Sequence, residues 1–459
     1  MSQINRREFI KLAAAASSAS LLSIPAIARA GAKAKVVVIG GGYAGATAAK
    51  YVKLGDANID VTLIEPNKIY TSCPLSNEVI SGHRDIKTLE IGYDGLKKRG
   101  INVVHDLVTG VDRAKKTVTT QGGKTFAYDA LVVSPGIDFH YTGIEGYNES
   151  MINDIPHAYK AGPQTLLLKK QLEAMPDGGK FVIVVPKGPF RCPPGPYERA
   201  SLVANYFQHH GKKKSKVIIL DSNDSHSKKG LFNQAWAKMY GWEKEGLGTN
   251  SMIEWVKGAE GGVVNKLDAK TKTVSSDFVD VKADVLNIIP PHKAGKIAAD
   301  AGLTGAEGNN FEKGWCKVEP MTMASAADPN IYVVGDSCVA GEMPLYGNPN
   351  AAFDMPKSAH IAMTQAKVAA AAIVAKVNGK AVPQPYYANT CYSVVGDDYG
   401  ISVAHLYRVE NGTFKYIKEG SGVSMMTLPD KSPVPPAYRK LEAEYAVGWL
   451  RNVMADAFS

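Results

Sequence analysis

The sequence predicts an α/β fold with two dinucleotide-binding-type units and a smaller α+β domain at the C-terminal end. Three observations support this prediction. A strand, a glycine-rich turn, a helix and a second strand follow one another between Lys35 and Glu65. The same strand–helix–strand pattern recurs between Lys180 and Asp221 without the glycines, and short strands followed by a helix occupy the end of the chain. Alternating strands and helices are typical of parallel sheets that helices cover on both faces.

The first unit carries a G-x-G-x-x-G fingerprint between an apolar strand and a helix-forming run. The first glycine forms the tight turn, the second lets a pyrophosphate approach the backbone, and the third lets the helix pack on the strand. The pyrophosphate then binds at a helix N-terminus, where unpaired N–H groups and the helix dipole favour negative charge. Glu65, which ends the second strand, is placed to accept a hydrogen bond from a ribose hydroxyl. The predicted cofactor contacts here are Gly40, Gly42, Tyr43, Ala44, Gly45 and Glu65.

Two later strands predict further contacts with the same cofactor. One ends in a tight Ser-Pro-Gly turn that contains Pro135 and Gly136, and the other ends in Gly335 and Asp336. In FAD-binding folds with two dinucleotide domains, a strand of the first kind contacts the FAD and an aspartate in the second position binds the ribityl chain. Cys73 lies just past the second strand of the first unit, where the isoalloxazine end of an extended FAD would run. The predicted cofactor is therefore FAD.

The second unit lacks the fingerprint. Its first strand, at residues 180–185, is followed by a proline-rich segment that contains Arg191 and Cys192, and a helix is predicted to begin at Ala200. Proline supplies no N–H donor, so this turn cannot hold NADH phosphates as bare backbone would. The unit is therefore interpreted as a nicotinamide-binding fold that has lost its ligand and carries a cysteine instead.

The C-terminal part should form a small domain that closes over the flavin. Strands are expected around Ser393, Ile401 and Phe414, and a helix from about Ala437. An apolar stripe at i, i+4 spacing predicts core packing of this helix, with a membrane-surface role as the alternative. The stripe consists of Leu441, Tyr445, Trp449 and Val453.

These features predict five segments along the chain. They are a leader at 1–30, the first part of the FAD-binding domain at 31–150, the second unit at 151–286, the second part of the FAD-binding domain at 287–382, and the C-terminal interface domain at 383–459.

The leader predicts export. A twin-arginine pair, Arg6 and Arg7, precedes an apolar run at 12–27 and a small-x-small cleavage site at 28–30. The Tat route carries folded proteins, which suits a chain that takes up its cofactor before crossing, so the predicted location is the periplasm. No other stretch is long and apolar enough to span a bilayer, and an integral membrane protein is not expected.

The charge of the chain is mildly basic. The formal net charge is +9, and the leader holds four basic residues and one acidic residue, so +6 is left on the mature chain. No block of Lys and Arg is dense enough to predict a nucleic-acid partner. A solvated basic face explains the charge more simply than an anionic protein partner does.

Several segments of the mature chain carry a family resemblance; they are residues 61–66 with 73–80, then 190–200, 294–298 and 389–393. With them, essentially the whole mature chain resembles the flavoprotein subunit of flavocytochrome c sulfide dehydrogenase. The resemblance implies the glutathione-reductase-like architecture. Two features depart from it: Ser72-Cys73-Pro74 stands where Thr-Cys-Tyr is expected, and extra residues occur between Val339 and Lys357.

The resemblance implies roles for the five cysteines. Cys73 would form a thioether with the 8α-methyl group of the flavin, and Cys192 and Cys391 would form a redox-active disulfide beside it. Cys316 and Cys338 would then be free. The residues alone leave other readings open: a structural disulfide between Cys192 and Cys391, a buried free thiol at Cys73, or a pairing of Cys192 with Cys316 or Cys338.

The resemblance also implies oxidation of sulfide. Hydrosulfide attacks a disulfide sulfur, which gives a persulfide and releases a thiolate. Two electrons then reach the flavin, and the cysteine nearer the flavin is the one released, although the residues do not assign it. Glu198, six residues after Cys192, is a candidate base for the hydrosulfide, and a helix N-terminal acid is the alternative reading. Trp449 would lie near the flavin, in the wall of the site or on the electron exit.

The electron acceptor implied by the resemblance is a c-type cytochrome subunit, in a heterodimer with this chain. The sequence contains no C-x-x-C-H, so the haem must belong to the partner. One alternative is a sulfide:quinone oxidoreductase, which the leader and the motifs disfavour. An NADH-dependent disulfide reductase is disfavoured by the missing second fingerprint. A non-catalytic electron-relay subunit is disfavoured by the intact pair Cys192 and Cys391.

Overall fold

The computed structural model describes residues 33–243, 246, 248, 250–305, 314–339 and 355–459. The predicted leader and most of the predicted insertion, residues 340–354, lie outside the described residues. Within the described ranges, the α-helices are α1 (Tyr43–Gly55), α2 (Ser76–Ile80), α3 (Asp94–Lys98), α4 (Pro163–Ala174), α5 (Gly195–His209), α6 (Lys229–Met239), α7 (Lys296–Asp300), α8 (Ala359–Val377) and α9 (Pro436–Phe458).

The strands of the same ranges, in chain order, are β1 (Lys35–Ile39), β2 (Asp60–Ile64), β3 (Ile69–Thr71), β4 (Glu90–Gly92), β5 (Asn102–Val104), β6 (Val108–Asp112), β7 (Thr117–Thr120), β8 (Thr125–Ala127), β9 (Ala130–Val133), β10 (Ile137–Phe139), β11 (Lys180–Val185), β12 (Lys216–Asp221), β13 (Ile253–Val256), β14 (Lys266–Asp268), β15 (Thr273–Ser275), β16 (Asp280–Lys282), β17 (Val285–Ile288), β18 (His292–Ala294), β19 (Cys316–Lys317), β20 (Ala324–Ser325), β21 (Asp328–Val333), β22 (Cys338–Val339), β23 (Tyr386–Gly396), β24 (Tyr399–Glu410), β25 (Thr413–Tyr416) and β26 (Gly422–Val423).

The first sheet has the strand order β20-β21-β9-β1-β2-β5, and all its neighbours are parallel except β20 and β21. The apolar residues of β1 are buried, as expected for a parallel strand with both faces covered. Helices α1 and α8 pack against each other. The sheet therefore combines an early and a late part of the chain. The carboxyl ends of β1, β9 and β21 meet at one edge, where ligands bind in open parallel sheets.

The second sheet has the order β13-β12-β11-β17 and is wholly parallel. One of its two edge strands is Val285–Ile288, so the domain boundary predicted after residue 286 falls inside a strand. The domain limits themselves stay a prediction. Helix α5 begins at Gly195, and the predicted start at Ala200 is therefore wrong. Pro196 occupies the first turn, where a missing N–H costs nothing because that N–H has no partner within the helix.

The C-terminal segment forms the antiparallel order β23-β24-β25, with β26 beside β24, and then α9. The strands around Ser393, Ile401 and Phe414 and the helix from about Ala437 are thereby confirmed. The end of α9 packs against the first unit, because the Phe458 ring stacks on Tyr70 with 5.2 Å between the ring centroids.

The predicted core stripe of α9 is only partly right. Val453 is buried, but Leu441 is 43% exposed and Tyr445 is 55% exposed. Residues spaced by four move about 40° around the helix at each step, so Leu441 and Val453 face directions about 120° apart. The buried face instead follows Ala446, Leu450 and Val453. None of the described helices is long and apolar enough to cross a membrane.

Candidate functional site

The glycine turn after β1 has the shape that a pyrophosphate needs. Gly40 has φ +91°, and a Cβ there would lie 2.3 Å from the Ser134 carbonyl oxygen. A Cβ on Gly45 would lie 1.8 Å from the Gly40 oxygen, so both positions require glycine. A Cβ on Gly42 would come no closer than 3.6 Å to Tyr70, so this side of the turn is open. No side chain caps α1, and the amide groups at its start, including that of Ala44, are available to an anion.

Glu65 lies beside this turn, as predicted. One carboxylate oxygen accepts from the Gly41 amide at 2.8 Å, and the other accepts from the backbone and side-chain amides of Asn67 at 2.9 and 2.7 Å. The carboxylate is thus fixed next to the glycines. Its role as a ribose acceptor stays a prediction.

The other predicted flavin contacts lie at the ends of β9 and β21. Gly136 has φ +71° and follows Pro135, and Gly335 has φ +79°. Asp336 accepts from the Arg191 guanidinium at 3.4 Å through one oxygen. Its other oxygen is buried and has no hydrogen-bond partner among the described residues. A buried acceptor of this kind needs a donor, and a ribityl hydroxyl fits the requirement. These residues therefore fit FAD.

One cavity brings together the five predicted residues that carry sulfur or catalytic chemistry. It is lined by Cys73, Cys192, Glu198, Cys391 and Trp449. These side chains come from the segment after β3, the loop before α5, the first turn of α5, strand β23 and helix α9. No local pattern in the sequence fixes their mutual distances, so this convergence is a product of the fold.

Some of the left-handed backbone conformations of non-glycine residues lie at the same cavity. Leu75, Ala158 and Cys192 line it with φ values of +61°, +51° and +53°. Lys228, with φ +58°, directly follows Ser227, another lining residue. Each non-glycine residue in this conformation costs of the order of 1 kcal/mol, and such residues cluster at functional sites.

Cys73 is half-buried and faces a cation. The Arg191 Nη2 donates to its sulfur at 3.4 Å. The sequence contained a weak signal for this, since Arg191 is the one basic residue between Lys187 and Arg199 in the proline-rich segment.

Cys192 and Cys391 are free thiols in the structure. Burial raises the pKa of both, and the charges of Glu198 and Cys391 raise that of Cys192 further. The Cys391 sulfur donates to the Asn389 side-chain oxygen at 3.4 Å. Cys316 and Cys338 lie opposite each other in β19 and β22, buried and outside the lining of the cavity. The geometry therefore favours a partnership of Cys192 with Cys391 over one with Cys316 or Cys338.

Glu198 is a helix N-terminal acid, as one interpretation held, while its role as a base stays a prediction. It is in the first turn of α5, and it lines the cavity. Burial raises its pKa to about 7, while the positive charge of Lys228 opposes that rise. One carboxylate oxygen accepts from the Val394 amide at 3.4 Å. A carboxyl group poised near neutral pH can take up and release a proton at that pH.

Trp449 is partly buried and lies 6.0 Å from Tyr392 between ring centroids. Its indole N–H is buried without a hydrogen-bond partner among the described residues. Spacing alone predicted core packing for this residue. The structure places it in the wall of the cavity and against the core, and its position near a flavin stays a prediction.

In the second unit, the acid at the end of β12 is hydrogen-bonded within the unit. Asp221 ends β12, where a dinucleotide fold would place its ribose acceptor. One of its carboxylate oxygens accepts from Tyr197 at 2.5 Å and Trp255 at 2.9 Å, and the other accepts from Asn223. The His226 ring stacks on Tyr197 with 3.9 Å between centroids. Both carboxylate oxygens of Asp221 thus already accept hydrogen bonds from the protein itself. This agrees with the missing glycine fingerprint.

Family models match most of the chain. The model described as the central part of the sulfide dehydrogenase [flavocytochrome c] flavoprotein chain matches residues 165–290, and the model for the flavin-binding part of flavocytochrome c sulphide dehydrogenase matches 383–458. A curated flavoprotein chain of this sulfide dehydrogenase from Chlorobaculum thiosulfatiphilum is 51% identical over 45 residues, which are 94% of that sequence and 10% of this chain. The chain belongs to the flavocytochrome c sulfide dehydrogenase flavoprotein family.

The family has more distant relatives among other flavoproteins. A pyridine nucleotide-disulphide oxidoreductase model matches residues 34–183 of this chain. The mitochondrial sulfide:quinone oxidoreductase of Dictyostelium discoideum is 24% identical over 66% of this chain and 65% of its own length. That of Mus musculus is 22% identical over the same shares. The chain thus spans slightly less than two thirds of the length of these two relatives.

Solved structures show the same fold. The sulfide:quinone oxidoreductase of Aquifex aeolicus aligns with a TM-score of 0.69 at 18% identity, over 93% of this chain and 92% of that one. Putidaredoxin reductase, in its covalent complex with putidaredoxin, aligns with a TM-score of 0.58 at 16% identity, over 93% and 99%. The predicted glutathione-reductase-like α/β fold and the predicted family are both confirmed.

Proposed function

We propose that this chain oxidises hydrogen sulfide through a Cys192–Cys391 disulfide and passes the electrons to FAD and then to a c-type cytochrome subunit. The observation that carries the proposal is the single cavity lined by Cys73, Cys192, Glu198 and Cys391. A pair of cysteines beside a flavin site is the arrangement that sulfide chemistry requires, because hydrosulfide attacks disulfide sulfur directly.

The residues at the edge of the first sheet would hold FAD. The glycine turn and the start of α1 would take the pyrophosphate, Glu65 a ribose hydroxyl, and the unpaired oxygen of Asp336 the ribityl chain. Pro135, Gly136 and Gly335 would lie against the cofactor through their backbone. Cys73 would bind it covalently at the 8α position. When bound, FAD supplies a two-electron acceptor that can release electrons one at a time.

The protein's own residues would prepare the sulfur step. Glu198 would take the proton of hydrogen sulfide, since burial holds the pKa of its carboxyl near 7. Hydrosulfide then attacks one sulfur of the disulfide. A new S–S bond forms to the incoming sulfur, the old S–S bond breaks, and its electron pair leaves on the other cysteine as a thiolate. The proline-rich loop would place Cys192 where a nicotinamide would otherwise lie.

The proposed electron acceptor is a separate subunit. The sequence lacks a C-x-x-C-H haem site, which supports a separate c-type cytochrome subunit. Tyr445 is exposed and lies about one helical turn before Trp449 of the cavity wall. Its ring offers the cytochrome subunit an apolar surface to bind near that wall. We further propose that residues 1–30 export the folded chain to the periplasm, where such a partner would be met.

Reduction of a quinone is the second candidate, because the chain resembles sulfide:quinone oxidoreductases in sequence and fold. The two acceptors can be compared directly in anaerobic stopped-flow experiments with the sulfide-reduced protein. We expect a soluble c-type cytochrome to reoxidise the flavin much faster than a short-chain quinone does. Faster reoxidation by the quinone would contradict the proposed acceptor while leaving the sulfide step intact.

A further inference from the structure

Lys228 directly follows Ser227, a lining residue of the cysteine cavity, and no sequence prediction included it. It directly precedes α6, in a left-handed backbone conformation with φ +58°. Its ammonium nitrogen donates to the Ser393 hydroxyl at 2.8 Å. Ser393 follows Cys391 by two positions in β23, and residues two apart in a strand point to the same face of the sheet. The ammonium group is therefore anchored beside Cys391.

Most of the titratable groups near Lys228 are acids or thiols, which become negatively charged when they lose a proton. Cys391 of β23, Glu198 of α5 and Cys192 of the loop before α5 interact with Lys228 electrostatically. Glu442 of α9 and His405 of β24 do so as well. A cation that is held among these groups stabilises whichever of them becomes an anion.

Lys228 lowers and Glu198 raises the pKa of both cysteines, but the order of size of the two influences differs between the thiols. Burial raises the pKa of both thiols, and Lys228 is the largest influence that lowers the pKa of Cys391. Hydrogen bonds with Ser358 and Asn389 lower the pKa of Cys391 as well. For Cys192, the largest influence after burial is the Glu198 carboxylate, which raises the pKa. In disulfide exchange, the thiol with the lower pKa is the better leaving group.

We propose that Lys228 is a positioning residue that makes Cys391 the leaving thiolate and Cys192 the cysteine that carries the persulfide. This rests on the proposed function. Hydrosulfide attacks the Cys192 sulfur and bonds to it, and the Cys192–Cys391 bond breaks. Its electron pair departs on Cys391 beside the ammonium group, and the hydrosulfide proton stays on the Cys192 persulfide. The sum is HS⁻ plus disulfide giving one persulfide and one thiolate, so no outside oxidant enters the step.

The test measures thiol reactivity in the absence of sulfide. The flavin-loaded protein is reduced with a thiol reductant, freed of it anaerobically, and treated with iodoacetamide from pH 6 to 10. Alkylation of the Cys391 and Cys192 peptides is followed by mass spectrometry. The variants are Lys228→Met, Lys228→Arg and Lys229→Met; the Lys229 ammonium lies 4.7 Å from the Trp255 ring centroid and serves as the matched control.

Lys228→Met should raise the pH midpoint of Cys391 alkylation and slow the reaction below that midpoint by about tenfold, since one pKa unit is a factor of ten in thiolate. The Lys228→Arg and Lys229→Met proteins should behave like the wild type, and Cys192 should change less than Cys391. An unchanged Cys391 midpoint in Lys228→Met would overturn the proposal, and so would an equal shift in Lys229→Met.

Lys228→Gln provides a second neutral variant if the methionine protein loses flavin or melts early. Because the assay contains no sulfide, its result is independent of the proposed activity. Failure of that activity would appear separately, as a wild-type flavin that sulfide does not reduce.

Discussion

The guanidinium of Arg191 lies 3.4 Å from the sulfur of Cys73. The two residues are 118 positions apart, and the contact joins the proline-rich loop of the second unit to the segment that follows β3. The same guanidinium holds Asp336 at 3.4 Å. The contact therefore places a cation where the proposed thioether would form.

Cys73→Ser should keep FAD bound but lose its covalent attachment. After acid precipitation, we expect wild-type flavin in the pellet and Cys73→Ser flavin in the supernatant, measured by absorbance. Cys316→Ala is the matched control, because Cys316 is buried outside the cavity lining. Release of all the wild-type flavin by acid would contradict the thioether.

Loss of either active cysteine should abolish reduction by sulfide. We expect Cys192→Ala and Cys391→Ala to slow anaerobic flavin bleaching by about three orders of magnitude or more, because removal of one member of such a unit disables it. Flavin content should stay at the wild-type level. Cys316→Ala again serves as the control. Near-normal bleaching in Cys192→Ala would show that sulfide reaches the flavin by another route.

Glu198→Gln should remove a pH-dependent step. The Glu198 pKa is raised to about 7 by burial, so its ionised fraction grows as the pH rises through that value. The rate of reduction by sulfide should rise over the same range, and Glu198→Gln should slow it by about 10²- to 10⁴-fold. Hydrogen sulfide in the assay solution also ionises as the pH rises, and it does so equally for the two proteins. The ratio of the wild-type rate to the variant rate therefore isolates the contribution of Glu198. A ratio that is constant from pH 6 to 8 would exclude Glu198 as the base.

Asp336→Asn should weaken FAD binding when the covalent bond is absent. Hydrogen bonds to charged groups contribute about 1.5–3 kcal/mol, which corresponds to a Kd about ten- to a hundredfold higher. The comparison is between Cys73→Ser and the double variant Cys73→Ser/Asp336→Asn, by titration of flavin fluorescence. Equal affinities would mean that the unpaired oxygen of Asp336 does not bind the cofactor.

Asp221→Asn should destabilise the second unit without restoring NADH use. The carboxylate satisfies buried donors on Tyr197 and Trp255, and unsatisfied buried groups cost about 1–3 kcal/mol. We expect a free energy of unfolding lower by this amount in urea titrations. NADH should still fail to bleach the flavin. A variant of wild-type stability that gains NADH oxidation would mean that the site is masked rather than lost.

The sequence anticipated the elements that local rules determine. The glycine turn, the parallel strands and helix α8 follow from periodicity and from glycine and proline chemistry, which act within a few residues. Helix α5 begins five residues before its predicted start, because proline is tolerated in a first turn. Part of the predicted stripe on α9 is exposed, because residues spaced by four do not stay on one face of an α-helix.

The cavity was harder to predict because its parts come from distant segments. The family resemblance suggested Cys73, Cys192 and Cys391, but no spacing in the chain shows that they converge. Lys228 had no sequence signal at all, since it lies in a polar loop and acquires its position through one hydrogen bond to Ser393. The contact between Arg191 and Cys73 likewise depends on how the second unit folds against the first.

The most direct test of the account is an anaerobic absorption spectrum of the purified protein, with sulfide added to one sample and NADH to another. The account predicts that sulfide bleaches the flavin band and that NADH leaves it unchanged. Bleaching by NADH without bleaching by sulfide would contradict the disulfide route and would make the protein a pyridine-nucleotide reductase with an unusual phosphate loop.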